Sequence, residues 1–271
     1  MKIMLIDRDR DVVEAVEGIC REMDGVELTI EPIKNNAIDA ARADHYDAIF
    51  FDPAPKNEEM RALMIGVRRG NPNYTPVIVM SHQLSLDESR AAGANDYIQK
   101  QFDADGFKKK LENLKKLSGF NKQLADESID FPSKDGVISK SAFNQIFISC
   151  LDRADRYGEE TYLSFATVKN IDEIRAQHGD DVANDICENL KKYTMRIRRL
   201  SDIAGRTAEN QICLMLTRPA NADEPRMAIT RFADSMSEYA ELISVGDAKA
   251  IISVEMMAIP SGEITYSKSF E

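Results

Sequence analysis

The sequence is poor in the residues that organise metals and disulfides. Its 271 residues include only three histidines (His45, His82, His178) and four cysteines (Cys20, Cys150, Cys187, Cys213). None forms a Cys-x-x-Cys or His-x-x-x-His spacing, which argues against a zinc cluster. The cysteines lie far apart, and three fall in apolar or helical patterns where a thiol acts as a small hydrophobe, so no disulfide is expected. Long apolar runs are missing as well. No window approaches the roughly 18 apolar residues of a membrane span, and Asp7 follows the opening apolar residues too soon for a secretory segment. Positive charge is in deficit, with 35 Lys and Arg against 46 Asp and Glu and a net charge of −11. Such a surface repels phosphate backbones, so nucleic acid is not an expected partner. There is no internal repeat and no low-complexity stretch. The expectation from these absences is a soluble, cytoplasmic protein with no membrane partner.

What is present suffices for ordinary cores, at 43% hydrophobic residues and 7% aromatics. The length exceeds the usual domain of roughly 100–200 residues, so two domains are expected. The first part alternates short apolar runs with helical patterns. Strands are predicted at Ile3–Ile6, Glu27–Ile30, Ala48–Phe51, Pro76–Met80 and Asp96–Ile98, with helices at Val12–Met23, Ala37–Ala43, Glu58–Arg69 and Asp87–Ala92. Strands alternating with helices imply a parallel sheet, because each crossover must carry the chain back over one face. From Ala104 to Glu127 the apolar positions Phe107, Leu111, Leu114, Leu117, Phe120 and Leu124 step by three or four, the spacing of one helix face. Lysines 108–110, 115 and 116 take the solvated faces, and Gly119 is a weak point.

The second part reads as a helix at Ser141–Tyr157, a strand at Tyr162–Val168 and one helix from Asp172 to Arg198. A hairpin of Ile203–Arg206 and Gln211–Leu216 follows, then a helix at Glu224–Leu242 and a strand at Ala250–Ala258. This mixture suggests an α+β domain.

In an open parallel sheet, reactive groups gather at the carboxyl ends of the strands. Here those ends carry Asp7 and Asp9, Asp52, Ser81 and Lys100. Carboxylates at one sheet end can hold a hard cation such as Mg²⁺, and a lysine and a hydroxyl on neighbouring strands can hold phosphoryl oxygens. Four pieces in order, Leu5-Ile6-Asp7, Tyr46-Asp47-Ala48-Ile49-Phe50-Phe51-Asp52, Pro76 to Ser81, and Gly93 to Lys100, resemble the response-regulator receiver domain. The likeness implies a flavodoxin-like (βα)5 fold with a five-stranded parallel sheet and a histidine kinase or phosphotransfer protein as partner. It makes Asp52 the phosphoacceptor, Lys100 the phosphoryl-binding lysine, Ser81 the switch hydroxyl and Tyr97 the switch aromatic. Mg²⁺ would sit on Asp7, Asp9 and Asp52. Arg8 departs from the pattern by standing where the family's second adjacent acid belongs, which weakens or replaces metal binding, and its guanidinium could mimic the cation by pairing with Asp52. The competing reading makes Asp9 or Asp11 a helix cap. Pro53 removes a backbone donor next to Asp52.

The turn Arg206-Thr207-Ala208-Glu209-Asn210-Gln211-Ile212, with Gly136-Val137, Phe143, Arg153-x-x-Arg156-Tyr157-Gly158 and His178-Gly179 around it, resembles the GGDEF domain of diguanylate cyclases. Ala208 and Glu209 replace the family's glycines, and Asn210 and Gln211 its acids. Thr167-Val168-Lys169 replaces the metal-binding acid pair. Neutral amides neither hold Mg²⁺ nor act as a general base, so the expectation is a pseudoenzyme, not a cyclase. Arg199-Leu200-Ser201-Asp202 matches the family's product-binding Arg-x-x-Asp. Arg199 and Asp202 are therefore candidates for binding cyclic di-GMP, against the plainer reading of a surface pair at a helix end. The expected layout is a receiver at 1–118, a helical linker at 119–131 and a degenerate GGDEF-like, nucleotidyl-cyclase-like α+β domain at 132–271. The expected function is a homodimeric signalling adaptor acting on a downstream protein, with a cyclic di-GMP receptor as the alternative and an active cyclase as the least favoured.

Overall fold

The computed structural model of the chain describes residues 1–54, 64–66 and 74–271. Its first sheet contains β1 (Lys2–Ile6), β2 (Glu27–Ile30), β3 (Ala48–Phe51), β4 (Val77–Ser81) and β5 (Asp96–Gln99). They pair in the order β2-β1-β3-β4-β5, every pair parallel. Helices α1 (Arg10–Arg21), α2 (Lys34–Ala43) and α3 (Leu86–Ala91) connect strands, and α4 (Ala104–Ala125) follows β5. This is the doubly wound, flavodoxin-like order, in which the strand sequence reverses beside β1 and β3. The helix expected at 58–69 falls outside the described residues apart from 64–66, which are helical.

Alternation along the strands explains why both faces are covered. Ile3, Leu5, Phe50, Ile78 and Met80 join a core with Val16 of α1 and Phe107, Leu111 and Leu114 of α4. Met4, Ile6, Ile49, Phe51, Val77 and Val79 form the opposite core with Ala37 and Ala41 of α2. All four residues of β3 are fully buried, as a central strand of a two-faced sheet requires. Helix α4 runs through Gly119 without a break, so the expected weak point does not interrupt it.

The later elements are α5 (Lys140–Tyr157), β6 (Thr161–Val168), α6 (Ile171–His178), α7 (Asp180–Ile197), β7 (Ile203–Ala208), β8 (Gln211–Thr217), α8 (Glu224–Glu238), α9 (Ala240–Ile243), β9 (Ile252–Ile259) and β10 (Ile264–Phe270). A second sheet has the order β10-β9-β6-β8-β7, every pair antiparallel. Three expectations are corrected here. The single helix from Asp172 is two, divided at Gly179, whose φ of +90° stops α6 and starts α7. The helix at Glu224–Leu242 also divides, at Tyr239. Strand β10 has no counterpart in the sequence reading.

Spatially the chain forms two units that are not continuous in sequence. One comprises Met1–Lys122, Ile148–Glu159 and Pro260–Glu263, the other Gln123–Phe147, Glu160–Ile259 and Ile264–Glu271. Cys20, Cys150, Cys187 and Cys213 are all buried thiols outside any disulfide. No described helix is long and apolar enough to cross a membrane.

Candidate functional site

Strands β1, β3, β4 and β5 end side by side, and their terminal residues meet around one lysine. The Lys100 ammonium lies 2.7 Å from Asp52 Oδ2, 3.0 Å from Asp7 Oδ1 and 3.9 Å from Asp9 Oδ2. The Lys100 side chain is 4% exposed and that of Asp7 fully buried. Burial alone would lower the lysine pKa, but the bonds from Asp52 and Asp7 hold it above its ordinary value, so the group is cationic. Burial pushes the Asp7 carboxyl up, against the Asp9 backbone N–H and Lys100 that pull it down. The carboxylates outnumber the ammonium, leaving the cluster net negative.

Arg8 does not join it. Its Nε donates to the Pro32 carbonyl at 3.0 Å, so the expected Arg8–Asp52 pair is replaced by Lys100–Asp52. A cationic residue two positions into a loop is free to turn outward, whereas Lys100 at the end of β5 already faces the acids. Asp9 acts as the N-cap of α1, accepting from Asp11 N–H, while its own N–H donates to Asp7 Oδ1 at 2.9 Å. It therefore caps a helix while its other oxygen lies 3.9 Å from Lys100 at the edge of the cluster. Sequence reasoning missed His82, whose Nε2 lies 3.8 Å from Asp9 Oδ2.

The expected switch residues are adjacent to one another. Tyr97 O–H donates to the Ser81 carbonyl at 3.0 Å, and burial raises its pKa. Ser81 Oγ accepts from Gln83 N–H at 3.1 Å and Leu84 N–H at 3.3 Å. As for a metal, the donor set of Asp7, Asp9 and Asp52 is the hard-oxygen type that suits Mg²⁺. Asp7 Oδ2 is buried and lacks a hydrogen-bond partner, an oxygen open to a ligand. Among the described residues, no group of three or more His, Cys, Asp or Glu is already spaced to hold a metal, and the Lys100 ammonium lies within 3.9 Å of all three acids. The residues fit the cation by chemistry, with the lysine as its competitor.

In the second unit, the β7–β8 turn is fastened to β6. Asn210 Nδ2 donates to the Val168 carbonyl at 2.8 Å, and Val168 N–H returns a bond to the Asn210 carbonyl at 3.0 Å. Gln211 Nε2 donates to Thr167 Oγ1 at 2.9 Å and its Oε1 accepts from Thr207 O–H at 2.7 Å. Glu209 lies 2.5 Å from the Arg175 guanidinium, which also holds Asp172 and Asp180. Ala208 pairs with Gln211 to close the turn, and Ile212 is buried. Arg199 forms an ion pair with Glu224 from α8. Asp202 Oδ2 accepts from Arg199 N–H at 3.1 Å, and burial raises its carboxyl pKa. The two side chains the sequence singled out thus lie together, each already engaged within the chain, closer to the plain helix-end reading than to an open site.

No protein-family model matches the sequence. Nor does any curated protein match it. Among solved structures, a response regulator from Thermotoga maritima is 27% identical at a TM-score of 0.38, over 42% of this chain and 95% of that one. A two-component response regulator from Clostridium difficile is 20% identical at a TM-score of 0.37, over 42% and 94%. The receiver domain of a Pseudomonas aeruginosa sensor histidine kinase, described with a magnesium ion in its active site cleft, is 25% identical at a TM-score of 0.33, over 44% and 97%. These three, two response regulators and one receiver domain, each match less than half of this chain's length.

Proposed function

We propose that the chain is a two-component response regulator whose first unit accepts a phosphoryl group on Asp52. The observation that carries this reading is the 2.7 Å approach of Lys100 to Asp52 at the carboxyl end of a parallel sheet, among acids that leave the cluster negative. An Asp52 oxygen attacks the phosphorus of a phosphohistidine on a kinase or phosphotransfer protein. The new O–P bond forms as the N–P bond breaks, and the imidazole leaves with the bonding electron pair. Lys100 offers its protons to the arriving phosphoryl oxygens. Asp7, Asp9 and Asp52 would hold Mg²⁺, which would supply charge neutralisation. Ser81 and Tyr97, bonded to each other beside β4, form the element that reads the change.

The second unit is read as a degenerate GGDEF-like module that signals through a protein partner and has no cyclase activity. Supporting this, Asn210 and Gln211 spend their amides on Val168 and Thr167, and a Glu209–Arg175 pair stands at the turn. Cyclic di-GMP binding at Arg199 and Asp202 is the weaker reading, since it would have to displace Glu224. The test uses acetyl phosphate and Mg²⁺ with intact-mass detection. Wild type gains one phosphoryl mass and Asp52→Ala gains none; equal labelling of the two rejects Asp52 as the acceptor. Incubation with GTP and Mg²⁺ yields no cyclic dinucleotide, and product would reject the pseudoenzyme reading.

A further inference from the structure

Lys34 opens α2, whose first turn has no acidic residue and no side-chain cap. A cation at a helix N-terminus faces the positive end of the macrodipole and is unfavourable there. A residue that breaks a local rule calls for a compensating contact elsewhere. That contact is the loop leaving β3. The Lys34 ammonium donates to the Pro53 carbonyl at 2.9 Å and the Ala54 carbonyl at 3.1 Å, and lies 5.4 Å from the centre of the Phe51 ring. One side chain therefore engages the residue before Asp52 and the two after it.

The loop has particular need of this. Pro53 offers no N–H, so the nearest backbone donor after the acid is Ala54 N–H, which bonds Asp52 Oδ1 at 2.9 Å. Lys100 takes the other oxygen, Oδ2, at 2.7 Å. The carboxylate is thus held between a backbone amide and an ammonium, and its orientation depends on where the Ala54 peptide sits.

We propose that Lys34 is a positioning residue for phosphoryl transfer. Through the Pro53 and Ala54 carbonyls it fixes the peptide whose N–H orients Asp52, so the acceptor oxygen meets an incoming phosphorus in one geometry. This rests on the reading of Asp52 as phosphoacceptor. Lys34 touches neither donor nor phosphorus, and its effect belongs to the rate at saturating donor more than to donor affinity.

The test is the rate of Asp52 labelling by acetyl phosphate, in the full chain with Mg²⁺, as a function of donor concentration. Lys34→Met is expected to lower the saturating rate by about tenfold to a hundredfold, the scale of a small misplacement of a reacting group, with little change in the half-saturating concentration. Lys34→Arg, which keeps donors for both carbonyls, is expected to recover the rate to within about threefold of wild type. Lys34→Leu, which likewise keeps no donor, serves should the methionine variant not fold. The proposal is overturned if the folded methionine or leucine variant labels at the wild-type rate, or if the arginine variant is as slow as methionine. Wild type that takes no label removes the phosphoacceptor reading, and this proposal falls with it; labelled wild type alongside an equally fast Lys34→Met removes this proposal alone.

Discussion

Asp47 Oδ1 lies 2.7 Å from the Lys122 ammonium, joining the start of β3 to the far half of α4. The same carboxylate accepts from Ser118 O–H at 2.5 Å and from Lys2 N–H at 2.8 Å. Burial would raise its pKa, but these bonds outweigh it and hold the group at about 2. A carboxyl depressed in the folded state contributes stability above its unfolded pKa and loses it as pH falls through the folded value. The window therefore runs from about pH 4 down to about pH 2, and the contribution is about 2 kcal/mol. Urea midpoints measured across that window should fall with pH in wild type, and the fall should be visibly shallower in Asp47→Asn.

Removing Lys100 leaves Asp7, Asp9 and Asp52 facing one another without their cation. Breaking a buried pair by deleting one partner costs about 3–5 kcal/mol, so Lys100→Met should lose stability on that scale. Asp52→Asn, which reduces the negative charge, should lose much less. Chemical denaturation of the two variants side by side checks this, and equal losses would mean that Lys100 does not balance the acids.

Placing acids in the β7–β8 turn should harm the fold. In Asn210→Asp, a carboxylate replaces the amide that donates to the Val168 carbonyl, setting acceptor against acceptor at a cost of about 1–3 kcal/mol. Gln211→Glu loses the N–H that Thr167 Oγ1 accepts, but that hydroxyl can turn to donate to the new carboxylate, so the main loss falls on Asn210. The double variant is expected to melt earlier than wild type and to produce no cyclic dinucleotide from GTP, as scored by calorimetry and chromatography.

Gly205 in β7 leaves space only for a hydrogen. A Cβ there would stand 2.3 Å from Cδ2 of Phe143, a ring that is fully buried and cannot move aside freely. Gly205→Ala should cost about 1–3 kcal/mol as an overpacked site. Adding Phe143→Leu should recover part of the loss, which a double-mutant cycle in urea would register as non-additivity.

The first sheet was legible because its inner strands β1, β3 and β4 are buried on both faces and read as apolar runs, such as Ala48–Phe51. The cluster was legible because its members fall at the ends of those runs. The orientation of Arg8 was not, since a loop guanidinium can turn toward Asp52 or toward the Pro32 carbonyl with no trace in the residue order. Lys34 was hidden for the same reason, its partners being backbone oxygens that carry no residue signature. In the second unit, Gly179 was visible as a letter, but only its φ of +90° makes it a stop. Strand β10 escaped because its pattern of half-exposed Ile264, Tyr266 and Phe270 among serines resembles a tail. The hairpin was found, whereas the use of its amides as cross-links needed the register of β6 against β8.

The four buried thiols are divided evenly. Cys20 and Cys150 lie in one unit, Cys187 and Cys213 in the other. A water-soluble alkylating reagent can reach such sulfurs only when the surrounding structure opens. Peptide mapping of the alkylated cysteines would then time the breathing of each unit separately, using probes already in the chain and no engineered label.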